Sequence, residues 1–166
     1  KVADQASKAI SSDMPVVICG PGMAREQFES LLKGTGVGHR TLNIATSIGG
    51  RAAANEVMRE GAADAVLGEF AMAKQVRLIE EGLARISTNG AVAYGRKALQ
   101  EAADQGAVEA LVIEAGMLRS EVAWADAASE VRTAGGQVVQ ASAEHDAGEQ
   151  LMGLGGAIAL LRWKLD

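Results

Sequence analysis

The sequence has one cysteine and two prolines among its 166 residues. The lone Cys19 can form no disulfide within the chain, and it cannot supply a cysteine-based zinc site. Aromatic residues make up only 3% of the chain, which is too few for a surface that stacks several nucleic-acid bases. No apolar run approaches the ~20 residues that span a bilayer, and the first residues lack the apolar segment of a signal peptide.

Positive charge is also scarce. Sixteen Lys and Arg residues stand against 21 Asp and Glu residues, which gives a net charge of −5 and argues against a broad grip on nucleic-acid phosphates. What the sequence does have is apolar residues, at 48%, enough to bury a core. At roughly 100–200 residues per domain, the length allows one domain or two small ones. Because the sequence begins at Lys1 without an initiator methionine, we expect it to be a piece of a longer protein.

The first half of the chain predicts strands that alternate with helices. Met14–Cys19 is an apolar, β-branched run closed by Gly20-Pro21-Gly22, the pattern of a buried strand and a turn. The other predicted elements are a helix over 25–32 broken by Gly34–Gly38, a strand over 40–45, a helix after Gly50 with Ser47 as its N-cap and Gly61 as its stop, and a helix over 64–86.

After the turn signal at Asn89-Gly90, the alternation becomes regular. The predicted strands are 91–94, 108–114, 137–141 and 157–163, and the predicted helices are 95–105, 120–133 with Ser120 as its N-cap, and 146 to about 154. This order predicts an α/β domain of about four strands with helices on both faces. We place a domain boundary near residues 62–70, and we expect the strand-poor first unit to continue upstream of Lys1.

Three polar or glycine-rich segments are candidate sites. Gly20-Pro21-Gly22 lies between a strand and a helix, where phosphates often bind, but it lacks both the dinucleotide-binding and the P-loop patterns, so we interpret it as an exposed tight turn. Gly135-Gly136-Gln137 is the peptidyl-tRNA hydrolysis tripeptide of release factors. Here it closes a predicted helix and opens an apolar strand, which favours a structural role.

The third candidate is Glu144–Glu149, with three carboxylates beside His145. A histidine there offers acid–base chemistry or a metal ligand, but the only other histidine, His39, is distant in sequence. Favourable charge at a helix N-terminus accounts for the cluster more simply. The residues alone therefore predict an acidic α/β protein with no visible catalytic residues, no metal site and no cofactor, for which a binding module outranks an enzyme.

Several segments in order resemble the archaeal Pelota family, the ribosome-rescue paralogue of the class 1 peptide chain release factor. They are 17–26, 46–57, 92–95, 106–112 and 144–162. The resemblance implies that residues 1–65 are the end of a central α/β domain. It also implies that residues 66–166 are a C-terminal α-β-α sandwich that resembles kink-turn-binding ribosomal proteins. The release factor itself is the close competitor, since it shares Gly-Ala-Val-Glu and the final Gly-Gly and Leu-Arg pairs.

The resemblance implies a cytoplasmic role in no-go and non-stop mRNA surveillance, through docking rather than chemistry. A GTPase of the elongation-factor-1-alpha type would deliver the protein to a stalled ribosome, and an ABC-type recycling ATPase would contact its C-terminal domain. It implies no membrane and no small-molecule substrate. An endonuclease activity proposed for the family, with any divalent metal it used, would lie in an N-terminal domain that this sequence lacks.

Two family contacts carry over to this sequence. The family's Pro-Gly-Phe turn, tied to GTPase docking, matches Pro21-Gly22-Met23, where Met23 keeps an apolar anchor but loses the ring. The acidic residue of the family's Gly-Glu-Gln-Leu segment, tied to GTPase binding in the C-terminal domain, matches Glu149, and the resemblance makes the nearby His145 a second partner-binding candidate there. Two other hypotheses stay open at this point. One is a release factor that hydrolyses peptidyl-tRNA through Gln137, and the other is a kink-turn RNA-binding protein, which the acidic balance disfavours.

Overall fold

The computed structural model describes residues 1–10, 14–35 and 41–165. These residues divide into two compact units, Lys1–Ala71 and Met72–Asp166, and the division falls inside one helix. The described residues leave out part of the predicted 34–38 turn, His39 and the start of the predicted 40–45 strand. No described helix combines the length and the apolar character needed to cross a membrane.

Unit 1 is built on two parallel strands, in which Val16 pairs with Thr41 and Gly20 with Ala45. Its elements are α1 (Val2–Ala9), β1 (Val16–Gly20), α2 (Ala24–Lys33), β2 (Thr41–Ala45), α3 (Gly50–Glu60) and the start of α4 (Asp64–Ser87). Ala3, Ile18 and Leu32 form one buried cluster of unit 1, where α1 and α2 meet β1. Gly61 ends α3 with φ +68°, a conformation that glycine adopts without strain, as predicted.

Unit 2 holds a mixed sheet whose order, among the described strands, is β3-β6-β4-β5. Strand β6 pairs antiparallel with both β3 and β4, whereas β5 pairs parallel with β4. After α4, the elements are β3 (Val92–Tyr94), α5 (Arg96–Asp104), β4 (Val108–Glu114), α6 (Ala115–Ser120), α7 (Val122–Thr133), β5 (Gln137–Ala141), α8 (Asp146–Gly153) and β6 (Ala157–Leu161). The α/β class and the helices on both faces are confirmed.

Successive strand residues point to opposite faces of the sheet, and different helices cover those two faces. On β4, Leu111 and Ile113 face the cluster that holds Leu99 of α5 and Trp124 of α7. Val112 faces the opposite cluster, where α4 and α8 pack through Ile79 and Leu151. Strand β6 is buried along its whole length, as a central strand covered on both faces should be.

One predicted helix start, at Ser120, was wrong. Ser120 is the last residue of α6, a six-residue helix that the sequence reading missed, and α7 begins after it at Val122. The N-cap of α6 is Glu114, whose carboxylate accepts hydrogen bonds from the amides of Gly116 and Met117, both at 2.8 Å. Those two bonds hold the pKa of Glu114 below its ordinary value, first through Gly116 and then through Met117.

Candidate functional sites

The turn Pro21–Met23 follows β1 and leads directly into α2. Gly22 has φ +67°, which an L side chain adopts only with strain, so this position favours glycine. All three residues are exposed, and the Met23 side chain is 70% exposed. The turn therefore presents an apolar side chain to solvent at the end of a strand.

A second turn lies against the first because β1 and β2 are parallel, so their carboxyl ends share one edge of the sheet. The amide of Thr46 donates to the carbonyl of Gly20 at 3.2 Å, and a Cβ built on Gly49 would lie 3.7 Å from Cδ of Pro21. Ile48 in this second turn is 50% exposed. The sequence reading did not single out Ile48, although the parallel pairing is the signal that places it near Pro21.

Ser47 does not cap α3, contrary to the prediction. Its amide donates to Oε1 of Glu56 at 3.0 Å and its hydroxyl donates to Oε2 at 2.7 Å, while Gly49 takes the N-cap position. The Ser47 hydroxyl, followed by the Ser47 amide, lowers the pKa of Glu56. The physical reason is spacing, since α3 begins at Gly50 and Ser47 is too far upstream to reach its free amides.

A hydrogen-bonded network on α2 and β2 lies beside the first turn. The Glu29 carboxylate pairs with Lys33 at 2.8 Å and accepts from Asn43 at 2.6 Å and from Thr41 at 3.2 Å. These donors, Lys33 first, hold the pKa of Glu29 at about 2, below the ordinary 4.5. Glu29 is therefore a fixed negative charge at neutral pH.

In unit 2, His145 begins α8 and orders its first turn. Its Nδ1 accepts a hydrogen bond from the amide of Gly148 at 3.0 Å, so the ring serves as the N-cap. Because Nδ1 accepts, the other nitrogen carries the proton, and this Nε2 donates to Oε1 of Gln75 at 3.3 Å. Oε1 of Gln75 also accepts from the amide of Ser142 at 3.2 Å, which ties α4 to the loop before α8.

The backbone of α8 packs tightly on the loop that precedes it. A Cβ built on Gly148 would lie 2.0 Å from the carbonyl oxygen of Ser142, so only glycine fits at this position. Glu149 is the next residue, and its side chain is exposed. Asp146 and Glu149 both stand in the first turn of α8, where negative charge interacts favourably with the helix dipole.

The structure brings the five predicted site residues into two places, one in each unit. Pro21, Gly22 and Met23 form the first turn of unit 1, and His145 and Glu149 lie at the start of α8 in unit 2. A cavity of about 500 Å3 beside α8 is lined by Val76, Glu80, His145, Asp146, Ala147 and Gln150. Across residues 1–10, 14–35 and 41–165, no group of three His, Cys, Asp or Glu side chains is arranged to hold a metal ion.

The Gly135–Gln137 tripeptide has the structural role that the sequence predicted. Gly135, with φ +78°, follows the end of α7, and Gln137 begins β5. Val138 and Val139 pair with Leu111 and Val112 of β4. A Cβ on Gly136 would lie 2.6 Å from the carbonyl oxygen of Val108. Because this backbone is paired and packed, it is not free to approach a peptidyl-tRNA ester.

Comparison with known families identifies unit 2. Residues 72–165 match the family model described as eRF1 domain 3, which covers more than half of the chain. The chain belongs to the eRF1 domain 3 family. The sheet and helices of unit 2 are thus those of the domain that this family model describes.

Similarity to Pelota extends over both units and confirms the resemblance drawn from the sequence. The Pelota homologue of Pyrococcus furiosus is 35% identical over 153 residues, covering 90% of this chain and 43% of that protein. A model of ribosome-bound archaeal Pelota and ABCE1 superposes with a TM-score of 0.67 at 34% identity, covering 99% of this chain and 49% of that one. The chain therefore spans about half the length of these relatives.

A more distant structure shares the fold. Saccharomyces cerevisiae Dom34, a translation termination-like factor that interacts with Hbs1, superposes with a TM-score of 0.60 at 20% identity. The match covers 99% of this chain and 51% of Dom34. At that identity the likeness establishes the architecture of the chain alone.

Proposed function

We propose that this chain is the docking half of a ribosome-rescue factor and acts by binding rather than by making or breaking a bond. The observation that carries the proposal is the similarity across both units to a Pelota bound on the ribosome with ABCE1. In this proposal, residues 1–65 are the end of the central domain and residues 66–166 are the C-terminal domain. The protein would act in the cytoplasm, in the surveillance of mRNAs on which ribosomes stall.

The proposed partners are a GTPase of the elongation-factor-1-alpha type, an ABC-type recycling ATPase and the stalled ribosome. The GTPase would contact Pro21–Met23 in unit 1 and the start of α8, with His145 and Glu149, in unit 2. The 70% exposed side chain of Met23 supports the first contact, since an apolar group on an ordered turn can be buried by a partner at little entropic cost. The exposed charge of Glu149 supports the second, since an unshielded carboxylate can steer a basic partner.

Direct binding tests this proposal. The 166-residue chain is titrated against an archaeal elongation-factor-1-alpha-type GTPase loaded with a non-hydrolysable GTP analogue or with GDP. We expect tighter binding to the GTP form, and weaker binding by Met23→Asp, which places a charge where an apolar contact forms. Met58→Asp on α3 is a control of the same chemistry, since Met58 is also exposed and lies outside both proposed contacts. The proposal would be contradicted if the chain bound the GTP-analogue and GDP forms equally tightly and if Met23→Asp bound as tightly as Met58→Asp.

A further inference from the structure

One side chain of α2, that of Arg25, donates hydrogen bonds to the backbone at the Pro21–Met23 turn. The guanidinium of Arg25 donates through Nη1 to the carbonyl oxygen of Gly22 at 2.9 Å and to that of Gly20 at 3.4 Å. The Arg25 side chain is only 19% exposed. It therefore lies beneath the turn and joins the Gly22 carbonyl of the turn to the Gly20 carbonyl at the end of β1.

The guanidinium is itself oriented by a second layer of hydrogen bonds. Nε of Arg25 donates to Oδ1 of Asn43 at 2.6 Å, and Nδ2 of Asn43 donates to Oε2 of Glu29 at 2.6 Å. The amide orientation of Asn43 follows from this arrangement, since its oxygen faces a donor and its nitrogen faces a carboxylate. Glu29 is held in turn by Lys33 and Thr41.

We propose that Arg25 is the positioning residue of the Pro21–Met23 turn, and that the relay Arg25–Asn43–Glu29 keeps the turn in the conformation that docks the GTPase. The inference rests on the proposed function, because it assigns to Arg25 the pre-organisation of a surface that the GTPase contacts. Arg25 itself lies below the turn and contacts the partner only through it. The fork of a guanidinium suits this role, since it donates to the turn and to Asn43 at the same time.

Loss of the Arg25 hydrogen bonds lowers the fraction of time that the turn spends in its docking conformation. The apparent dissociation constant rises in inverse proportion to that fraction. Arg25→Ala is therefore expected to weaken GTPase binding about ten-fold if the turn is competent about a tenth of the time. The change falls on the association rate, because the contacts made once the complex has formed are the same.

Two measurements on the 166-residue chain test the inference. Backbone order parameters at Gly22 and Met23 should fall from about 0.85 to below about 0.6 in Arg25→Ala. The order parameters of Arg25→Lys should fall between those of the wild type and those of Arg25→Ala. A lysine ammonium can donate to a carbonyl oxygen but lacks the planar, forked set of N–H groups of a guanidinium. Gln27→Ala is the control on the same helix, since Gln27 is exposed and stands outside the Arg25–Asn43–Glu29 relay. Association rates are then measured for the same variants.

The outcomes separate this inference from the docking proposal. Unchanged order parameters in a folded Arg25→Ala, or in Arg25→Lys if the alanine variant unfolds, would overturn the role of Arg25. A loosened turn with an unchanged association rate, in a chain where Met23→Asp weakens binding, would also overturn it. A loosened turn in a chain whose binding ignores Met23→Asp would instead remove the turn from the GTPase interface.

Discussion

His145 and Gln75 lie 70 residues apart in the sequence, yet Nε2 of the histidine lies 3.3 Å from Oε1 of the glutamine. The opposite ring nitrogen of His145 accepts from the amide of Gly148 and caps α8. One neutral imidazole thus joins the long helix α4 to the first turn of α8, where Glu149 stands. The most polar motif of the sequence therefore has a structural role in addition to the binding role proposed for it.

The capping role of His145 predicts that two substitutions of this residue differ in their effect on the free energy of unfolding. His145→Ala removes the cap and should lower the free energy of unfolding by about 1 kcal/mol, the usual effect of losing an N-cap. His145→Asn should retain most of that stability, because asparagine is among the best N-cap residues. Urea unfolding of both variants measures the difference. Equal losses in the two variants would contradict a capping role.

The close approach at Gly148 predicts a larger effect on the same helix. Gly148→Ala places a Cβ 2.0 Å from the carbonyl oxygen of Ser142, and the backbone shift that follows should cost about 1–3 kcal/mol of stability. Gly153→Ala is the control, since no atom of the described residues lies within 4 Å of a Cβ built there and alanine favours the helix. Thermal unfolding should show a lowered midpoint for Gly148→Ala only. Similar midpoints would show that α8 can move away from the 142–143 segment at no cost.

Glu149 is predicted to contribute to partner binding through its charge. Glu149→Arg reverses an exposed charge at the start of α8 and should weaken binding to the GTP-bound GTPase several-fold, more strongly at low salt than at high salt. Asp126→Arg is the control, because it makes the same change of charge at an exposed position of α7. Affinities measured at two salt concentrations decide the point. Equal weakening by both variants would reflect net charge rather than an interface at Glu149.

The Gly-Gly-Gln tripeptide is predicted to matter for folding and not for hydrolysis. Gly136→Ala should destabilise the chain, since its Cβ would lie 2.6 Å from the carbonyl oxygen of Val108. Gln137→Ala should be nearly neutral, because Gln137 is exposed. A peptidyl-tRNA hydrolysis assay should show no activity that depends on Gln137. Hydrolysis that Gln137→Ala abolishes would restore the release-factor hypothesis.

Acid is predicted to weaken unit 1 through Glu29. Its pKa of about 2 in the folded chain is below the ordinary 4.5, so the unfolded state binds more protons in the interval between them. The stability that Glu29 contributes is present above about pH 4.5 and is lost as the pH falls toward about 2. Unfolding curves of the wild type and Glu29→Gln should converge over that interval. A stability difference that is independent of pH would contradict the role of the Glu29 carboxylate.

Periodic elements of this fold could be predicted from the sequence, whereas elements that depend on small residues or unusual caps could not. Helix α1 was missed because its one buried residue is Ala3, and alanine carries little apolar signal. Helix α6 was missed because Glu114 caps it, and glutamate at a strand end is not a familiar start signal. Ser47 and Ser120 have the residue type of N-caps, but the backbone geometry that decides capping places Gly49 and Glu121 there instead.

The candidate sites divide in the same way. The exposed turn at Pro21–Met23 and the polar start of α8 are local, so sequence motifs located them. Gln75, Asn43 and Ile48 reach their sites through pairing or packing between distant segments, and no spacing in the sequence encodes those contacts. The resemblance to Pelota located the two sites, and the tertiary structure supplied the residues that order them.

Competition for the GTPase tests the central claim most directly. A full-length archaeal Pelota is bound to the GTP-loaded elongation-factor-1-alpha-type GTPase, and the 166-residue chain is added at increasing concentration. If the chain carries the docking surfaces, it displaces full-length Pelota, and the double variant Met23→Asp, Glu149→Arg does not. Failure of the wild-type chain to displace it at any concentration, or displacement by the double variant at the same concentration, would contradict the account.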